Sequence, residues 1–86
     1  MKKYSARVYV TLRNSVLDTA GTAVESGLHQ LGYEGIEGVR IGKYIQMNLS
    51  ALHREEAEKN LHQMCDQLLA NPVIENYSFE LTAVEE

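Results

Sequence analysis

The 86 residues of this chain leave room for one hydrophobic core, so we expect a single domain spanning residues 1–86. An apolar content of 44% with 23% charged residues is typical of a globular protein rather than a disordered one. The net charge of −4 argues against a nucleic-acid partner, and no apolar run reaches the roughly 20 residues that a membrane span requires.

The first predicted strand runs from Lys3 to Arg13, because its apolar residues alternate with polar ones. They are Tyr4, Ala6, Val8, Val10 and Leu12. A helix is predicted from Thr19 to Leu31, with Asp18 as its N-cap and Gly32 as the left-handed residue that ends it.

The middle of the chain predicts one long strand. Apolar residues fall on odd positions on both sides of Gly42, at Val39, Ile41, Ile45, Met47 and Leu49. A two-residue hairpin at Gly42 would move Ile41 to the opposite face, so a single strand that is bent or bulged at Gly42 fits better. A split of this strand at Gly42 stays open, and it would give the βαββαβ order of ferredoxin-like folds.

A second helix is predicted from Leu52 or His53 to Ala70, where Asn71-Pro72 ends it. Its buried stripe is Ala57, Leu61, Met64 and Leu68, with Cys65 on the flank. The last predicted strand is Glu75 to Leu81, followed by a loose tail over residues 82–86.

This order predicts an α+β fold. It is a two-layer β-α-β-α-β sandwich with a long bent central strand, related to ferredoxin-like folds, with both helices on one sheet face. A domain this small, with open sheet edges, favours self-association, at least as a dimer.

Candidate catalytic groups are few. His62, Cys65 and Asp66 share one side of the second helix, but Cys65 leans towards the core and Asp66 towards solvent. We therefore expect no metal site, since zinc needs three or four converging ligands. We find neither an activated nucleophile nor a phosphate-binding glycine motif, so we expect no catalysis by the chain alone. The single cysteine suits a reducing compartment, and we expect a cytoplasmic protein.

The remaining signal is the outer sheet face, where tyrosine, arginine and uncharged polar residues are the mixture that subunit interfaces favour. Its members are Arg7, Tyr9, Arg40, Tyr44, Gln46, Asn48 and Ser78. A solvated face would explain the same residues equally well.

Five segments in this order and spacing make the chain resemble the PurS family, the small subunits of phosphoribosylformylglycinamidine synthase. They are Ala-Arg-Val-Tyr-Val-Thr-Leu at 6–12, Leu-Asp at 17–18, Leu-Gly-Tyr-Glu-Gly at 31–35, Val-Arg-Ile-Gly-Lys-Tyr-Ile at 39–45 and Leu-Ala-Asn-Pro-Val-Ile-Glu-Asn-Tyr at 69–77.

The resemblance implies a subunit of an ATP- and glutamine-dependent ligase of purine biosynthesis. The resemblance also implies that the small subunit is a structural bridge between a large synthase subunit and a glutaminase subunit. It further implies self-association as a dimer or tetramer. The complex uses ATP and magnesium, but no cofactor is expected on this chain, and no catalytic residue is carried over. Candidate partner-interface residues are Arg7, Tyr9, Arg40, Gly42, Lys43, Tyr44, Asn71 and Pro72.

Two other classes of function stay open. A regulatory module of ferredoxin-like type would bind an amino acid or nucleotide between paired sheets, and its ligand would raise the melting temperature. A small acylphosphatase-like enzyme would need a basic phosphate cradle after the first strand, which Asn14-Ser15-Val16-Leu17 does not supply.

Overall fold

The computed structural model describes residues 1–84, which form three strands and two helices. The elements are β1 (Lys2–Leu12), α1 (Thr19–Gln30), β2 (Gly42–Ala51), α2 (Arg54–Met64) and β3 (Glu75–Ala83), with a π-helical turn (Cys65–Leu69) that continues α2. The predicted α+β class is confirmed.

The strands form one antiparallel sheet in the order β2-β1-β3. Val8, at the centre of β1, lies opposite Ile45 on β2 and Phe79 on β3. Because β1 is paired on both sides, its inward-facing side chains have the most neighbours, and Val8 and Val10 are fully buried. The alternation predicted for β1 is confirmed.

The core lies between the inner face of the sheet and α2. Its buried residues are Tyr4, Ala6, Val8, Val10, Ala51, Ala57, Leu61, Cys65, Ala70 and Leu81. Partly buried side chains extend it along both outer strands, among them Ile45 and Met47 on β2 and Tyr77 and Phe79 on β3. Strand alternation therefore places on this one face the predicted apolar residues that fall within the three strands.

The end of the second helix differs from the prediction. The N–H of Ala70 donates to the carbonyl of Cys65 at 2.9 Å, a five-residue step that widens the last turn into a π-helix. Cys65 follows the buried Leu61 by four residues and is itself fully buried. The extra residue rotates the positions that come after it, so Ala70 is buried while Leu68 is 84% exposed. The assignment of Leu68 to the buried stripe was wrong, because an ideal α-helical period does not continue through the π-helical turn.

The predicted long strand is shorter than expected, since β2 begins at Gly42. Residues 39–41 are not paired in the sheet, and the Ile41 N–H donates to Oδ2 of Asp18 at 2.8 Å. Gly42 lies so close to β1 that a side chain there would collide with the carbonyl oxygen of Val10. The strand therefore does not include Val39 and Ile41. The predicted alternation of apolar and polar residues holds from Ile45 to Leu49, where the odd-numbered side chains face the core.

Helix α1 lies apart from the core. Asp18 caps it and Gly32, with φ of +102°, follows its C-cap as predicted, but Gly21 is the one buried residue within the helix. The apolar stripe that the sequence predicts for this helix, Ala20, Val24, Leu28 and Leu31, is largely uncovered, with Val24 43% and Leu31 75% exposed. The two helices therefore do not share the core of the sheet in the described chain, because the polar side of α1 packs on residues 36–41 instead.

The resulting molecule is elongated, with Cα extents of 52 × 30 × 14 Å and a radius of gyration of 16.7 Å. A compact domain of this length would have a radius of gyration of about 12 Å. The excess agrees with a helix that projects from the sheet rather than covering it.

At the C-terminus, β3 reaches Ala83, two residues beyond the predicted end at Leu81. The loose tail predicted from residue 82 is therefore wrong for Thr82 and Ala83, which pair with Ser5 and Tyr4. The rest of that prediction includes residues 85–86, which lie outside the described residues. Among residues 1–84, no helix is long and apolar enough to cross a membrane.

Candidate partner-binding surfaces

The eight candidate interface residues fall into two separate groups. Arg7, Tyr9 and Tyr44 lie on the outer sheet face, which we define as the face turned away from α2. The other five lie at or next to one end of the sheet, where β1 ends and β2 and β3 begin, and we call this region the sheet end. Its members are Arg40, Gly42, Lys43, Asn71 and Pro72.

On the outer sheet face, neighbouring strands are joined by side-chain hydrogen bonds. Arg7 donates to Oγ1 of Thr82 at 2.9 Å and lies 3.8 Å from a carboxylate oxygen of Glu80. The hydroxyl of Tyr9 donates to Oε1 of Glu80 at 2.7 Å. Glu80 therefore lies between two side chains of β1 and balances the charge of Arg7.

Two tyrosines form an aromatic pair on the same face. The rings of Tyr9 and Tyr44, which are directly opposite on β1 and β2, stack with centroids 5.3 Å apart and an interplanar angle of 28°. The pKa of Tyr9 is raised, first by its hydrogen bond to the carboxylate of Glu80, so this phenol stays a neutral donor. Tyr9 and Tyr44 are 38% and 52% exposed, which leaves a flat aromatic and polar patch open to a partner.

Arg40 has a different environment from the one expected. Its guanidinium donates to the carbonyl oxygens of Leu12 at 3.1 Å and Arg13 at 3.0 Å, and its Nε lies 4.0 Å from Asp18. These contacts tie the segment before β2 to the end of β1. Arg40 is therefore located beside the sheet and not on its outer face, since β2 begins only at Gly42.

The rest of the sheet end is held by turn contacts. The Asn71 side chain accepts from the Val73 N–H at 3.1 Å, and the Asn71 backbone carbonyl accepts from the Glu75 N–H at 2.7 Å. The carbonyl of Pro72 accepts from the Arg13 side chain at 2.6 Å. Lys43 lies 3.7 Å from Glu75, and its side chain is 59% exposed. It is therefore more accessible to a partner than Arg40, the other cation of the sheet end.

The side chains with metal-like spacing have other partners. Nδ1 of His62 lies 3.0 Å from the Tyr77 hydroxyl, and the His62 ring packs edge-on against Phe79. Burial raises the pKa of the Cys65 thiol, with a smaller contribution from Asp66. Among residues 1–84, no three histidine, cysteine or acidic side chains converge as metal ligands.

Sequence reasoning missed the importance of the exposed apolar residues around α1. Leu17, Val24, Leu31, Tyr33 and Ile41 are all more than a third exposed. The spacing of Ala20, Val24, Leu28 and Leu31 correctly showed an apolar stripe. It could not show that the stripe lies outside the core of its own chain.

Comparison with known proteins identifies a single family. The family model PurS, described as phosphoribosylformylglycinamidine (FGAM) synthase, matches residues 5–83. The chain is 65% identical over 82 residues to the FGAM synthase subunit PurS of Synechocystis sp., a match that covers 95% of this chain and 82% of that protein. It is 42% identical over 81 residues to the corresponding subunit of Bacillus subtilis, with 94% and 95% coverage.

Solved structures give the same result. The B. subtilis PurS structure superposes with a TM-score of 0.82 at 42% identity, over 96% of this chain and 99% of that one. A chain in the structure of PurLQS from Thermotoga maritima superposes with a TM-score of 0.84 at 28% identity, over 98% of this chain and 100% of that one. Sequence and fold agree along almost the whole length, and the chain therefore belongs to the PurS family of FGAM synthase subunits.

Proposed function

We propose that this chain is a non-catalytic assembly subunit that bridges the ATP-dependent synthase and the glutaminase in purine biosynthesis. The observation that carries the proposal is the full-length match to a chain of the Thermotoga maritima PurLQS structure. A bridge must present more than one surface to its partners. The fold exposes the polar outer sheet face and, at the sheet end, Lys43, which is 59% exposed.

The proposed role is geometric. In a glutamine-dependent ligase, ammonia released by one active site must reach another without escaping to solvent. A subunit that fixes the relative orientation of the two partners makes that transfer efficient without supplying a reacting group. We propose accordingly that the chain acts in the cytoplasm, and that ATP and magnesium bind to the partners.

The environment of its most reactive side chains supports a non-catalytic role. Burial holds Cys65 as a neutral thiol, whereas a cysteine nucleophile needs a lowered pKa. Asp18 is 5% exposed, and its two carboxylate oxygens accept from the backbone of Gly21 and Ile41. These groups are used to build the fold.

We further propose that the chain self-associates through α1. The radius of gyration is well above that of a compact domain, and apolar residues of α1 are uncovered. A second copy of the chain would bury them. A carboxylate at Val24 would have to be desolvated in such an interface, which is costly without a cationic partner.

The variants Val24→Asp and Ser26→Asp test this surface. Both add the same charge to exposed positions of α1, but residues two apart point to opposite sides of a helix. Light scattering at micromolar concentration should show that Val24→Asp lowers the mass towards that of a monomer and that Ser26→Asp does not. Equal behaviour of the two variants, or a wild-type monomer, would contradict self-association through this stripe.

The bridging role is tested by the mass of the assembled complex. Purified synthase and glutaminase subunits are mixed with glutamine and ADP, with or without this chain, and analysed by sedimentation velocity. We expect a species that contains both large partners only when the chain is present. A stable complex of the two partners without it would show that they need no bridge.

A further inference from the structure

The segment between α1 and β2 runs back along α1 and is attached to it by polar contacts. We call residues 36–41 the strap. His29 donates through Nε2 to the carbonyl of Ile36 at 2.7 Å, and Glu25 accepts from the N–H of Val39 at 3.1 Å. The third contact, Asp18 with the N–H of Ile41, lies at the start of the helix.

These three contacts follow one side of the helix. Positions 18, 25 and 29 are separated by seven and four residues, so their side chains lie close to one line along α1. The apolar stripe through Val24 and Leu31 is on a different side. The helix therefore holds the strap with its polar side and leaves its apolar side uncovered.

A close approach at Gly21 completes the attachment. A Cβ at this position would collide with the carbonyl oxygen of Val39 and would lie 2.8 Å from Oδ2 of Asp18. At Gly27, in the same helix, a Cβ would meet nothing within 4 Å. The strap thus requires glycine at position 21 and not at position 27.

The strap is also joined to the sheet. Arg40, inside the strap, donates to the carbonyls of Leu12 and Arg13 at the end of β1. The direction in which α1 leaves the sheet is therefore set at this junction, by polar groups rather than by core packing.

We propose that Asp18, Gly21 and Arg40 are positioning residues that fix α1 in the direction needed for its apolar stripe to meet a second copy of the chain. This inference rests on the proposed self-association but concerns residues that do not themselves form the contact. Release of the strap leaves the sheet folded and lets α1 change direction, so assembly weakens although the stripe is intact.

The experiment compares Gly21→Ala with Gly27→Ala, using amide hydrogen exchange and light scattering. Both substitutions raise the helix propensity of α1, so a simple effect on the helix would slow exchange in both. We expect exchange at Val39 and Ile41 to speed up by roughly tenfold or more in Gly21→Ala alone, with Val8 unchanged. The dimer or larger assembly should dissociate at a higher concentration in Gly21→Ala and not in Gly27→Ala.

Asp18→Asn serves as a second variant, because it keeps an oxygen for one backbone donor and loses the charge facing Arg40. Glu37→Gln, an exposed charge change within the strap, is its control. Exchange at Ile41 should rise in Asp18→Asn alone.

Two results would overturn the proposal. One is equal exchange at Ile41 in Gly21→Ala and Gly27→Ala. The other is release of the strap with undiminished assembly. A monomeric wild type would instead count against the proposed self-association, while the exchange result would still decide whether the strap holds α1.

Discussion

Asp18 shows how one buried carboxylate can organise distant parts of a chain. Its pKa is held below the ordinary value of 3.8, mainly because the Gly21 N–H and then the Ile41 N–H donate to the ionised form. Arg40, 4.0 Å away, adds to the effect against the cost of burial. Asp18 thereby links the helix N-terminus to the strap, and Arg40 continues this link to the end of β1.

The sign of this pKa shift predicts an acid-dependent stability. A carboxyl group whose pKa is lower in the folded state stabilises the fold above its unfolded pKa, and this contribution is lost as the pH falls through the folded value. Between pH 6 and pH 3, denaturant midpoints of the wild type should fall more steeply than those of Asp18→Asn. Glu37→Gln should follow the wild type, and identical profiles for Asp18→Asn and the wild type would contradict this role of Asp18.

His53 offers a second prediction at the scale of single residues. Its Nδ1 accepts from the Glu56 N–H at 3.1 Å and so caps α2, a position where asparagine is among the preferred residues. We expect His53→Asn to raise the free energy of unfolding by up to about 1 kcal/mol and His53→Ala to lower it by about 1 kcal/mol. Thermal denaturation of the three proteins checks this order. A cap that matters little would give three equal melting temperatures.

At the scale of elements, α2 is the helix that builds the core. Leu61 is fully buried, whereas Leu68, in the π-helical turn, is 84% exposed. Leu61→Ala should lower the free energy of unfolding by about 2–5 kcal/mol, because it leaves a cavity. Leu68→Ala should change it by less than about 0.5 kcal/mol. Urea denaturation of the two variants tests the π-helical turn. In an uninterrupted α-helix, both substitutions would lower the free energy of unfolding by several kcal/mol.

Periodicity in the sequence predicted the strands well, since each strand buries one face. The alternation in β1 identified Tyr4, Ala6, Val8 and Val10 correctly. It failed at Val39 and Ile41, whose odd parity continued the pattern of β2. Their backbone N–H groups are taken by Glu25 and Asp18, and such long-range bonds between side chain and backbone leave no periodic signal.

The positions of the candidate interface residues in the fold were predicted in part. Arg7, Tyr9 and Tyr44 lie together on the outer sheet face because register follows from strand alternation. Arg40 was placed on that face only because β2 was expected to begin earlier. Whether any of the eight residues contacts a partner stays a prediction.

At the scale of the whole molecule, a small core is combined with a helix that projects from the sheet. Ten buried hydrophobic residues connect the sheet with α2, while α1 adds apolar surface that the described chain leaves uncovered. Such a shape agrees with the proposed role of holding two partners in a fixed orientation. Under that proposal, the stability and the function of the chain depend on the same contacts.

The most direct test of the bridging role is the ratio of glutamine-driven to ammonium-driven turnover in a complex reconstituted from purified subunits. Free ammonium bypasses the glutaminase, so its use does not require the two active sites to be aligned. Omitting this chain should lower the glutamine-driven rate by more than about tenfold while the ammonium-driven rate changes far less. Full glutamine-driven turnover by the synthase and glutaminase without this chain would contradict the bridging role.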